Sequence, residues 1–153
     1  MGCAYIEADN RKSQGIRGML VTDNRSTVII QDEMKLSGSH TVLWMGHVVV
    51  GASITVSDDK KNALISYEGK TLLCSIVVPE GYETDWKFEI RSADYLPETG
   101  LVMTPGEYNR DGYQKLVAVA KDCSEVKLAV VCRLLSDGPH SYTWTDINDW
   151  VTD

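Results

Sequence analysis

The sequence predicts an all-β protein, an antiparallel β-sandwich of roughly 9–11 strands in one domain spanning residues 1–153. Three observations lead there. Val, Ile and Leu supply most of the apolar residues, Phe occurs once, and Thr and Tyr are frequent, a composition that fits pleated, half-buried surfaces. Short apolar runs recur about every 8–12 residues with turn residues between them. No segment sustains the 3.6-residue periodicity of an amphipathic helix.

The elements follow from local pattern. Residues 1–18 are polar and glycine-containing, with 10–15 reading as a loop. Ile16 to Val21 reads as a first strand that ends at the turn pair Asp23-Asn24. Thr27 to Asp32 is a β-branched strand, and Ser37-Gly38-Ser39 is a loop. Thr41 to Val50 is apolar at both parities, as in a strand buried on both faces. Gly46 in its middle marks a bulge or a close backbone approach. Together Arg25 to Val50 form the expected central pair of strands.

Ala52, Ile54 and Val56 alternate with Ser53, Thr55 and Ser57, followed by a charged turn, SDDKKN. Ala63 to Tyr67 and Lys70 to Val78 read as a tight hairpin across Glu68-Gly69. Pro79 to Asp85 is a loop, and Trp86, Phe88 and Ile90 mark an amphipathic strand. Tyr95 to Gly112 is the longest irregular stretch. Tyr113 to Ala120 and Val126 to Leu135 read as a last hairpin turning at Asp122-Cys123-Ser124. The tail, HSYTWTDINDWVTD, carries two tryptophans and is expected to pack back on the sheet.

The net charge of −7 comes from scattered acidic residues and reads as solubility. It argues against nucleic acid, whose phosphates need clustered Lys and Arg; Arg11-Lys12 with Arg17 is the only basic cluster. No apolar run approaches the ~18–20 residues of a membrane span, and the N-terminus lacks the apolar core of a signal peptide. Ile6 stands where a myristoylation motif requires Ser or Thr. Asn24-Arg25-Ser26 matches the N-glycosylation triplet, and reads first as a plain turn. Cys3, Cys74, Cys123 and Cys132 contain no C-x-x-C pair. Cys74 and Cys132 lie in apolar strands and read as small core residues, with free thiols expected.

The search for chemistry yields candidates and a bland reading for each. His40 and His47 invite a metal site, but their odd separation puts them on opposite faces of a regular strand unless Gly46 bulges. Asp32-Glu33 offers two carboxylates, yet neighbours on a strand point apart, whereas a glycosidase needs them facing across a sugar. Trp44 and Trp86 have inward parity and read as core. Trp144, Trp150, Tyr108 and Tyr113 are freer and form the candidate sugar-stacking surface. The reading assigns no catalytic, cofactor-binding or metal-ligating residue, and no cofactor.

RGMLVTDNRSTVIIQDEM followed by HTVLWMGHV resembles the C-terminal β-domain of the heparinase II/III-like polysaccharide lyases. The family's apolar strand ending in Asp corresponds to Val28 to Asp32, and its W-x-x-H strand to Trp44-Met45-Gly46-His47. Gly69-Lys70, Pro79 and a final strand pair within 114–135 also fit. The resemblance implies a β-domain that supports an α/α-toroid catalytic domain, either as part of a longer lyase or as a stand-alone relative. Its expected partners are that catalytic domain or a polysaccharide, with no nucleic acid and no membrane. The resemblance transfers no catalytic residue, and His47 takes a structural role. Three functions therefore compete: a non-catalytic accessory domain, a stand-alone carbohydrate-binding module, and a small enzyme using His47 with Asp32. The first expects an apolar docking patch, the second exposed coplanar aromatics, and the third both residues in one cleft.

Overall fold

The computed structural model describes residues 2–8, 12–93, 112–137 and 141–150, with the backbone alone for 2–8. The strands are β1 (Gly2–Ala8), β2 (Ser13–Thr22), β3 (Thr27–Val48), β4 (Ser53–Val56), β5 (Asn62–Tyr67), β6 (Lys70–Val77), β7 (Lys87–Ser92) and β8 (Gln114–Leu134). All pairings are antiparallel, in the order β1-β2-β3-β8-β6-β5-β4, with β7 also on β8. The all-β class is as the composition and spacing predict. The described strands number eight rather than 9–11, and they form one continuous sheet.

The difference has a specific origin. Thr27–Asp32 and Thr41–Val50 are not two strands joined by a loop, and the last expected hairpin does not reverse. Each pair is one long strand, 22 residues in β3 and 21 in β8, and the two run against each other along their whole length. The register slips between Lys35 and Val42 on β3, where His40 lies opposite Cys123, and Asp122 has φ +56°. The Ser-Gly-Ser and Asp-Cys-Ser stretches therefore oppose each other. What reads locally as two turns is one matched irregularity, which adds twist and bends the ladder.

The bend creates two arms. The first half of β3 and the second half of β8 lie between β2 and β6. The second half of β3 and the first half of β8 carry β7. The arms are tied where Phe88 N donates to Lys60 O (2.8 Å) and Lys61 Nζ to Trp86 O (2.5 Å). Trp44, Trp86, Phe88 and Leu116 from one arm then meet Ala63, Cys74, Leu128 and Val130 from the other in the main core. Burial of several side chains of this size, each worth about 1.5–3 kcal/mol, holds the bend closed.

Other local readings hold. The turn at Asp23-Asn24 is a 3-10 turn over Asp23–Arg25, and Glu68 and Gly69 adopt φ +46° and +75°, the pair of positive φ values a two-residue hairpin uses. Gly46 marks a close approach rather than a bulge, since an added Cβ would lie 3.1 Å from the Trp44 ring. Two readings fail. β1 forms where the sequence looks merely polar. The run over 41–50 is not buried on both faces: Met45, Val49 and Val50 are 45%, 53% and 43% exposed. Ile90 shares the Phe88 face of β7 yet is 42% exposed, because it lies toward the end of the strand farther from Trp86.

Candidate binding groove

The tail does pack back on the sheet. Residues 141–150 cross the face of β2, β3 and β8 that points away from the main core. There Tyr142, Trp144 and Trp150 cover a second cluster formed by Ile29, Ala129 and Val131. Gly18 makes room for it: a Cβ at that position would lie 2.7 Å from Trp150 Cζ3. Gln31, wholly buried in mid-strand, anchors the crossing. Its Nε2 donates to Thr145 O (2.8 Å) and Glu33 Oε1 (2.7 Å), and its Oε1 accepts from Tyr142 Oη (2.5 Å). Glu33 Oε1 also accepts from Ile147 N (2.7 Å). A buried amide with its donors and acceptor filled is an asset; the same amide in an apolar face without them is a cost of about 1–3 kcal/mol. Burial raises the pKa of the Tyr142 phenol above its ordinary value and keeps it a donor.

Beside the strap, at the end of this face nearest the bend, lies an open groove of about 480 Å³. Its floor is made by two cross-strand rows, Gln14–Lys35–Glu125 and Ile16–Glu33–Lys127, and its wall by Asp146 and Asn148. The volume falls within the range of small-ligand sites. Opposite charges face each other across the strands, yet among the described residues no ion pair within 4.0 Å joins them. Glu33, which lines the groove, keeps its position through Oε1, the acceptor of both Gln31 Nε2 and Ile147 N. The groove thus presents separated donors and acceptors rather than a single-sign field. That pattern suits an uncharged polyhydroxyl ligand better than a polyanion.

The predicted candidates are dispersed. Asp32 and Glu33 face opposite sides of β3, as strand parity requires. Asp32 is buried beneath the Arg17 guanidinium in a two-pronged ion pair, Nε–Oδ1 2.6 Å and Nη2–Oδ2 2.8 Å. Hydrogen bonding to that carboxylate raises the Arg17 pKa above its ordinary value. His47 is exposed on the far arm, opposite Lys115, and on the face away from Trp44. Asp32 and His47 are therefore not in one cleft. His40 is exposed at the bend opposite Cys123. Among the described residues no group of three or more His, Cys, Asp or Glu is placed to hold a metal ion, and no helix is long and apolar enough to cross a membrane.

Trp44 and Trp86 are core, as parity predicts. Trp144 is half-buried against the second cluster, with Nε1 donating to Asp146 Oδ1 (3.0 Å). Tyr113 precedes β8 at the opposite end of that strand, 47% exposed, so the two rings share no platform. Tyr108, His140 and nearly all of the 95–112 stretch lie outside the described residues. Sequence reasoning missed Arg17, Gln31 and Gly18. Their signals were a charge and two glycines in β2, and a glutamine directly after a β-branched run. No family model matches the chain, and no curated protein matches it.

Proposed function

We propose that this chain is a non-catalytic β accessory domain of a heparinase II/III-like polysaccharide lyase, one that packs against an α/α-toroid catalytic domain. The observation that carries it is a cluster of exposed apolar side chains at one end of the sheet. Val49 and Tyr113, both exposed, directly follow and precede the last paired residues of the ladder, Val48 and Gln114; Val50 lies 3.7 Å from the Cβ position of Gly112, and the Tyr67 ring lies 3.8 Å from that of Gly51. Contiguous apolar surface of this kind marks an interaction site more often than an idle one. The residues that carry the family resemblance support the same reading, because their roles are architectural: Asp32 locks β2 to β3 through Arg17, and Trp44 fills the core.

The test mixes the chain with a separately expressed heparinase II/III-like toroid domain and follows complex formation by sedimentation. The expected result is a complex that is lost when Val49→Asp and Val50→Asp are combined. A chain that forms no complex, or that alone converts an acidic polysaccharide to its ultraviolet-absorbing unsaturated product, overturns the reading.

A second reading, a carbohydrate-binding module, is favoured by the groove and not by the aromatic residues. It predicts saturable heat on titration with a neutral polysaccharide that persists at physiological salt and falls in a Lys127→Ala, Asn148→Ala variant. Tyr113→Ala leaves that heat unchanged.

A further inference from the structure

Cys74 on β6 and Cys132 on β8 are direct partners across the central ladder, and both side chains point into the main core. Their Sγ atoms are 3.2 Å apart. Facing residues of an antiparallel pair hold their Cβ atoms about 4.5–5.5 Å apart, and a disulfide needs about 3.5–4.5 Å. A small closure of the ladder with side-chain rotation joins them. The other two cysteines are placed elsewhere. Cys123 lies at the bend, where its thiol donates to Lys121 O (3.4 Å), and Cys3 lies in β1, four strands from β6 in the sheet order.

We infer that Cys74 and Cys132 are a two-electron redox couple, oxidised by a low-molecular-weight disulfide to a covalent staple between β6 and β8. Cys132 is the more accessible of the two, while Cys74 is fully buried. Because the reagent reaches Cys132 first, Cys132 is the sulfur that attacks, as its thiolate. It displaces one thiolate of the reagent, which takes up a proton and leaves as a thiol, and a mixed disulfide forms on Cys132. Cys74 then gives up its proton, attacks Cys132 Sγ and expels the second thiol. Two protein thiols are oxidised and one small disulfide is reduced to two thiols.

The staple has a structural consequence. β6 pairs with β8 only from Leu72 to Val77, and β5 and β4 follow β6 in the sheet order, with hydrogen bonds to the β7 segment through Lys60 and Lys61. The link closes a segment of 58 residues in sequence separation, so it attaches the β4-β5-β6 meander to the long central strand independently of its hydrogen bonds.

The experiment equilibrates the intact chain with oxidised and reduced glutathione at graded ratios, then quenches, alkylates under denaturation and maps the peptides by mass. The expected result is a Cys74–Cys132 linked peptide lighter by two hydrogens. With it comes a melting temperature higher by about 5–10 °C than that of the reduced protein. Cys123→Ser forms the same link, and Cys132→Ser does not. The wild-type peptide map decides the matter even where a core serine prevents folding. Recovery of both residues as alkylated thiols at the most oxidising ratio overturns the inference, as does linkage of either one to Cys123 or Cys3 instead.

Discussion

Gly18→Ala tests the seating of the tail on the sheet. Gly18 lies within β2. For such a position, replacing glycine by alanine removes unfolded-state freedom and stabilises by about 0.4–1 kcal/mol where the Cβ fits. Here it does not fit, because it would lie 2.7 Å from Cζ3 and 2.9 Å from Cη2 of Trp150. The ring has to leave its place. Leaving costs part of the burial of a half-exposed indole, about 1.5–2 kcal/mol, and the Nε1 bond to Thr145 O at 3.2 Å, about 0.5–1 kcal/mol net. The balance is a destabilisation of about 1–2 kcal/mol. With a urea slope of about 2 kcal/mol per molar, the midpoint falls by roughly 0.5–1 M. Circular dichroism is the readout, since tryptophan fluorescence itself changes. In a Trp150→Ala background the same alanine finds open space, and its effect becomes neutral or stabilising. The double-mutant cycle therefore yields a coupling of at least about 1 kcal/mol. Additive effects, or a Gly18→Ala protein more stable than the parent, refute the placement of Trp150 over Gly18.

Two further outcomes follow from the ion pairs. Arg17→Met leaves the buried Asp32 carboxylate without its partner and destabilises by about 2 kcal/mol, below the cost for a fully enclosed pair because water reaches the guanidinium side. Adding Asp32→Leu recovers most of that loss, and a double variant no more stable than Arg17→Met alone contradicts the account. At low pH, Asp59 and Asp85 matter together. Hydrogen bonding by Ser57 depresses Asp59, and hydrogen bonding by Lys87 and then Lys61 depresses Asp85. Folded values below the unfolded one mean that their contribution is fully present above about pH 4 and is lost as pH falls through the folded values. Asp59→Asn with Asp85→Asn flattens the acid limb of the stability curve below pH 4, measured by thermal melts. An unchanged slope would show that neither carboxylate is held in this way.

Features that depend on short-range pattern were legible in the amino-acid order. Strand parity put Trp44 and Trp86 in the core and turned Asp32 and Glu33 to opposite faces. Turn chemistry placed the Glu68-Gly69 hairpin and the reversal at Asp23-Asn24, and the aromatic tail announced its own docking. Features that need a partner distant in sequence emerged with the folded chain. Ser37-Gly38-Ser39 and Asp122-Cys123-Ser124 each signal a departure from regular extension. Whether such a departure reverses the chain or merely bends it depends on what lies across the ladder, and the pairing of His40 with Cys123 sets the two irregularities against each other. The Arg17–Asp32 pair, the Gln31 anchor and the facing Cys74 and Cys132 arise the same way, from the meeting of segments 15 to over 100 residues apart. Local propensity carries no information about register; burial of one continuous core does, because a slip of one residue would turn every side chain of β8 to the wrong face.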